Sequence, residues 1–375
     1  MKKLGIYIHI PFCVQKCLYC DFCSFPKYSE EGIKAYVSAL CREIKRYGER
    51  ADGYSADTVY FGGGTPTLLP ISEFERIFTQ LRDSFSIAPD AEITCECNPA
   101  TADREYFSAL RELGVNRLSI GLQSVDESEL RALGRIHSYL DFVDTYNSAR
   151  QVGFDNISAD LMYGIPKQTI ESFGATLDKL IELSPEHISV YGLKVEAETP
   201  FGRMRDRLIL PDEDSECEMY MLCSNRLYGA GYEKYEISNF ARHGYESRHN
   251  LKYWTGGEYI GFGVAAHSYF GDERFANSRN IDGYLIGENI ESERKKISHS
   301  EQMTEYVMLR MRLSRGVELL DFVERFGKDF DELYRDKLLK YERGGYVKRE
   351  YGSVSFTDKG FLVSNFILSD ILDFE

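Results

Sequence analysis

The chain has 375 residues, with 45 Lys and Arg against 60 Asp and Glu and a formal net charge of −15. Its 43% hydrophobic, 28% charged and 13% aromatic content is that of a globular protein of two or three domains, which excludes a disordered or fibrous chain. A chain this long buries a sizeable core without needing a disulfide or a metal to hold it. The acidic balance works against phosphate backbones, so nucleic acid is not an expected partner. No stretch approaches the ~20 apolar residues of a membrane helix. The opening LGIYIHIPF is too short for a secretory signal and is cut by His9 and Pro11, so a cytoplasmic protein with no integral membrane segment is expected.

In chain order, apolar and β-branched runs at 5–10, 57–62, 92–97, 117–122, 157–164 and 187–193 read as strands. Helical periodicity lies between them. The clearest stripe is Ile33, Tyr36, Val37, Leu40, Ile44 and Tyr47, and others run near 72–85, 104–113, 140–152 and 169–183. Six β-then-α units whose strands read as continuously apolar predict an α/β fold, a parallel sheet covered by helices. In such folds chemistry sits at the carboxyl ends of the strands. The distinctive residues fall there: Cys13, the triple glycine 62–64, Asn98-Pro99 and Gln123.

Residues 201–295 read as an irregular extension, rich in Tyr, Gly and Asn. From 296 to 375 the pattern is helices over 301–313, 317–326 and 330–343, a hairpin at 346–357 and a last helix at 358–370, a winged-helix-like module. With 12 basic and 15 acidic residues from 300 to 375, it carries no footprint for nucleic acid, and a structural or protein-contact role is expected. The expected domains are thus 1–200, 201–295 and 296–375.

Nine cysteines in a long chain do not make a disulfide framework. Cys41 lies on the apolar side of a helical stripe, and Cys95 and Cys97 share one strand face; all three read as buried. Cys13-x₃-Cys17-x₂-Cys20 follows the first strand directly, and thiolates at this spacing suit soft metals and iron–sulfur clusters. Zinc, with His9 or Cys23 as a fourth ligand, is the alternative reading of the spacing.

HIPFCVQKCLYC followed by YFGGGTP resembles the radical S-adenosylmethionine (SAM) enzymes, and within them the oxygen-independent coproporphyrinogen III oxidase-like proteins. The resemblance runs through nearly the whole chain. It implies a partial (β/α)6 barrel and a [4Fe–4S] cluster on Cys13, Cys17 and Cys20, with SAM on the fourth iron. It further implies SAM contacts from Tyr7, Tyr19, Gly63, Gly64, Thr65, Glu96, Gln123, Arg135 and Asp160: glycines for close backbone approach, aromatics along the cofactor, Glu96, Gln123 and Asp160 for ammonium or ribose hydroxyls, and Arg135 for the carboxylate.

The same family holds an oxidase, which decarboxylates coproporphyrinogen III, and a heme chaperone, which binds heme as cargo for acceptor hemoproteins. Three features resemble the chaperone branch. Phe22 stands where the oxidase has a further cysteine, the chain reaches Cys13 almost at once, and residues 249–254 read HNLKYW, matching an HNxxYW motif. The resemblance implies His249 as a heme ligand, since a neutral imidazole is a good axial ligand, with His267 as a second candidate. It leaves open whether the chain turns over as an enzyme. The oligomeric state is equally open, a homodimer being one option.

Overall fold

The computed structural model describes residues 1–26, 28–288 and 290–372. Six strands, β1 (Lys2–Ile10), β2 (Tyr54–Gly63), β3 (Ile87–Cys97), β4 (Arg117–Gln123), β5 (Ile157–Tyr163) and β6 (His187–Gly192), lie side by side in that order, all parallel. Helices Glu30–Gly48, Ile71–Ser84, Arg104–Leu113, Tyr139–Gln151 and Ile170–Leu183 connect them. Four of these helices begin at a side-chain cap (Ser29, Asp103, Ser138, Thr169) that satisfies an otherwise orphaned N–H. The helix Glu127–Leu133, between β4 and the helix at 139–151, is one the periodicity did not predict.

The strands differ from the expected continuously apolar runs. Leu118, Ile120 and Leu122 of β4 belong to the hydrophobic core with Leu4, Ile6 and Ile8 of β1 and Tyr36, Val37 and Leu40 of the first helix. The alternate residues of β4, Arg117, Ser119, Gly121 and Gln123, line a cavity on the other side. A barrel strand has an outer face under helices and an inner face in the lumen, and here the lumen is polar.

The extension at 201–295 is also more regular than expected. The helix Glu213–Gly229 joins the helices on the outside. β7 (Glu233–Lys234) and β8 (Asn239–Ala241) continue the sheet antiparallel beyond β6. After the helix Arg248–Trp254, β9 (Tyr259–Phe262) pairs in parallel with the free side of β1. β10 (His267–Phe270), β11 (Glu273–Asn277) and β12 (Glu291–Lys296) then follow antiparallel. The result is one twelve-stranded sheet, ordered β12-β11-β10-β9-β1-β2-β3-β4-β5-β6-β8-β7. Short strands joined by long, Tyr- and Gly-rich turns leave little periodicity to read.

The C-terminal module has its own core around Val307, Phe322, Leu338 and Ile367. Helices His299–Arg310, Leu319–Phe326 and Phe330–Arg343 pack with a hairpin of Val347–Glu350 and Ser353–Phe356. The predicted last helix is two, Asp358–Leu362 and Ser364–Ile371, broken at Val363. No helix among the described residues is long and apolar enough to cross a membrane.

A buried carboxylate fastens the extension to the barrel. Glu43, on the first helix, accepts from the Gly263 N–H (2.9 Å), the Asn277 amide (2.7 Å) and the Tyr284 hydroxyl (2.6 Å). Burial pushes its pKa up, and these three donors work against that shift. Glu43→Ala would strand three buried donors, each costing on the order of 1 kcal/mol or more. Chemical denaturation should show a loss of about 3 kcal/mol; a loss under ~1 kcal/mol would contradict this account.

Candidate functional site

The cysteine loop leaves β1 at its carboxyl end, where the backbone of Ile10 and Phe12 accepts from Gly64 N–H (2.8 Å) and Thr65 N–H (2.7 Å). These bonds set the loop after β1 against the loop after β2. Cys13, Cys17 and Cys20 face a cavity of about 490 Å³, whose floor and walls include Tyr60, Glu96, Arg117, Gln123, Arg135 and Asp160. The cavity opens at the carboxyl ends of the parallel strands, where the fold class places chemistry.

The three cysteines are free. Burial raises the Cys13 thiol and pushes Cys20 up to about 11. Thr65 donates to Cys13 Sγ (3.7 Å), and Asn98 Nδ2 donates to Thr65 Oγ1 (2.7 Å). Arg135 reaches Cys17 Sγ (3.5 Å), Asn98 Oδ1 (2.8 Å) and the Gly121 carbonyl (2.9 Å). Its Nε is buried with no partner. Burial opposes the Arg135 cation, but Tyr19 and Cys17 more than offset that cost.

The two candidate fourth ligands for zinc, His9 and Cys23, are engaged elsewhere. Among the described residues, no group of three His, Cys, Asp or Glu side chains converges tightly enough to hold a single ion. His9 is occupied by the Tyr7 hydroxyl (3.1 Å) and the Cys23 carbonyl (2.8 Å), and the Cys23 thiol turns away toward the Arg279 carbonyl. Three thiols spread around one pocket suit a multi-iron cluster, whose corners take one ligand each.

The acidic side of the cavity comes from the strands. Glu96 accepts from the Tyr60 hydroxyl (2.9 Å) and the Gly63 N–H (3.0 Å). Burial, with Asp160 nearby, lifts its pKa to about 7. Asp160 lies within β5 rather than at its end; burial raises its pKa, while Ser119 donates to both its oxygens at 3.0–3.1 Å. Gln123 sits at a register shift between β4 and β5 with φ of 69°, a left-handed conformation that is costly for glutamine and turns its side chain into the cavity. Carboxylates at one end and Arg135 with an orphaned N–H at the other fit a zwitterionic ligand such as SAM.

Some expectations are corrected. The glycines are required by the protein's own packing. A Cβ on Gly63 would meet the His9 ring at 2.3 Å, and one on Gly64 the Phe12 carbonyl at 2.6 Å. Both still present backbone to the cavity. Thr65 stands behind Cys13 rather than on the wall. Tyr7 is not on the wall either, its hydroxyl held by His9 and its ring stacked on Tyr60 at 6.1 Å. Cys95 and Cys97 are buried as expected, but Cys41 is only half-buried.

Of the HNxxYW motif, Asn250 lines the cavity and His249 does not. The helix 248–254 plugs the lumen, its first N–H groups held by Glu92 (both 3.0 Å), and Lys252 pairs with Asp57 at 2.7 Å. His249 is 1% exposed, its ring stacked 5.1 Å from Tyr60. Thr58 Oγ1 (2.9 Å) and the Tyr253 hydroxyl (2.8 Å) occupy both ring nitrogens. Burial, with the Lys252 and Arg117 cations, drives its pKa down to about 3. The expected open heme ligand at His249 is therefore a saturated lumen residue, because an imidazole sealed in this interior must satisfy both nitrogens.

Arg117, Tyr60, Ser189 and Tyr191 also line the cavity and were missed. Arg117 is 1% exposed, with Nε unpartnered. The signal was there: Arg117-x-Ser119-x-Gly121-x-Gln123 alternates strictly with Leu118, Ile120 and Leu122.

The radical SAM superfamily model matches residues 7–180, and the HemN C-terminal domain matches 297–363. Coproporphyrinogen III oxidase (HemN) from Escherichia coli shares the fold with a TM-score of 0.87 at 24% identity, covering 99% of this chain and 90% of that one. Heme chaperone HemW of Bacillus subtilis (strain 168) and that of Escherichia coli (strain K12) are each 35% identical over 373 residues, 98% of both chains. That of a Synechocystis strain is 36% identical over 330 residues, 84% of this chain and 80% of its own. A barrel with a three-cysteine loop above an acid- and arginine-lined cavity, followed by this C-terminal domain, belongs to the HemW family of the radical SAM superfamily, and that membership implies a [4Fe–4S] cluster and SAM.

Proposed function

We propose that this chain is a cytoplasmic heme chaperone that holds a [4Fe–4S] cluster on Cys13, Cys17 and Cys20, binds SAM beside it and passes heme to acceptor hemoproteins. The observation that supports it best is the shared cavity, where the three cysteines meet Glu96, Gln123, Arg135 and Asp160, in a chain matched nearly end to end by heme chaperones. When bound, the cluster would supply an open iron for the amino and carboxylate groups of SAM and an electron for its cleavage.

The chain's own residues do the rest. Arg135 offers its cation to the ligand's carboxylate, and the Cys17 and Asn98 contacts hold it in place. Ionised Glu96 accepts from an N–H of the ligand's amino group or from its ribose while Tyr60 and Gly63 fix its orientation. Gln123 and Asp160 offer further acceptors for hydroxyls. Phe22, 65% exposed at the cavity's mouth, leaves that rim without the additional cysteine of the oxidase, which favours the chaperone over that enzyme.

Three outcomes are expected. Replacing Cys17 with alanine should remove the brown absorbance and most of the iron after anaerobic reconstitution while the chain stays soluble; unchanged iron content would refute the cluster assignment. Wild-type protein should bind ferric heme saturably and release it to an apo-hemoprotein, whereas anaerobic turnover of coproporphyrinogen III would instead identify the oxidase. SAM affinity should depend on pH through Glu96. A cationic ligand selects the ionised carboxylate, so affinity should be full above pH 7 and fall by up to tenfold per unit below it. Calorimetry on Glu96→Gln should give a flat, weaker profile; an unaltered slope would remove Glu96 from this role.

A further inference from the structure

A second and larger cavity, of about 790 Å³, lies between the sheet extension and the C-terminal module. It is separate from the cysteine cavity; no residue lines both. Its volume falls within the roughly 300–1,000 Å³ of organic-ligand pockets, and its lining mixes apolar side chains with seven charged ones. Here one wall is the β9–β11 face, with Tyr259, His267 and Arg274, and the other is the helix His299–Arg310, with Met303 and Met308.

We propose that this cavity is the seat of the heme cargo, with His267 as the ligand to iron. The proposal rests on the heme-chaperone reading above and goes beyond it by assigning the site. Four of the seven histidines, His9, His137, His187 and His249, are buried. His9, His187 and His249 each have both ring nitrogens engaged. Of the other three, His243 and His299 stand outside this cavity's wall. His267 is exposed on it, and its ring has no hydrogen-bond partner among the described residues. Imidazole is a good axial ligand, and thioethers on the facing helix are soft, adaptable partners for a macrocycle.

The rim suits the two propionates. Lys295 and Arg294 stand there, each already paired with carboxylates on the surface: Lys295 with Glu301, Arg294 with Glu273 and Glu291. The exposed Lys295–Glu301 pair can exchange one carboxylate for another at little cost. The HNxxYW motif reaches this cavity from behind. Tyr253, bonded to His249, packs edge-on against Tyr259 at 4.6 Å, and Tyr259 forms part of the wall. The motif thus holds a wall of the heme seat without itself supplying the ligand.

The test is a ferric heme titration of the full chain, followed at the Soret band and by electron paramagnetic resonance, on wild type, His267→Ala, His267→Met and His249→Ala. The expected result is one saturable site in wild type, at least tenfold weaker in His267→Ala with loss of the low-spin signal, and recovery of that signal on adding imidazole. His267→Met should bind with a shifted spectrum, and His249→Ala, which loosens a wall but leaves the ligand in place, should bind more weakly with the wild-type ligation signature. Because His267 is exposed, thermal melting of its variants should match wild type. Wild-type binding with an unaltered affinity and spectrum in His267→Ala would overturn this assignment and leave the chaperone reading intact. Failure of wild type to bind heme at all would overturn the chaperone reading itself.

Discussion

Two backbone hydrogen bonds, from Gly64 and Thr65 to the carbonyls of Ile10 and Phe12, hold together the loop that carries the cysteines and the loop that carries the glycines. The rest of the site is referenced to that splice. Cys13 emerges beside Thr65, Gly63 presents its N–H to Glu96, and Asn98 bridges Thr65 to Arg135. Gly64 permits the splice because any side chain there would strike the Phe12 backbone. Close packing of two loops, rather than room for a ligand, is the first reason for the glycines.

The second constraint is a polar lumen. Glu96, Asp160, Arg117, His187 and His249 all lie inside the arc of strands, where an unpaired group is costly. The helix 248–254 resolves much of this, since Glu92 caps its N-terminus and Thr58 and Tyr253 saturate His249. Arg117 Nε and Arg135 Nε are left without partners, and both residues line the cysteine cavity, where a ligand would supply what the chain does not.

One helix touches both cavities. Above the lumen, Asn250 faces the cysteine cavity. Behind it, Tyr253 presses on Tyr259 at the cavity beneath the C-terminal module. A seven-residue helix bonded at both ends and locked by the buried Lys252–Asp57 pair has little freedom to shift alone.

The linear sequence by itself determined the six strands, most of the covering helices and the spacing of the cysteine triad. All of these are local: periods of 2 and 3.6 and a loop spacing are readable without knowing any partner. It also contained the polar alternation of β4, hidden because the apolar half dominates a short run. Only tertiary structure could decide the rest. β9 reaches β1 across some 250 residues of chain, and His249 is closed off by Thr58 from a strand far upstream. Whether an imidazole is a ligand or a sealed lumen residue depends on which donors surround it in space. That is why His249 and His267 could not be ranked until the sheet was assembled around them.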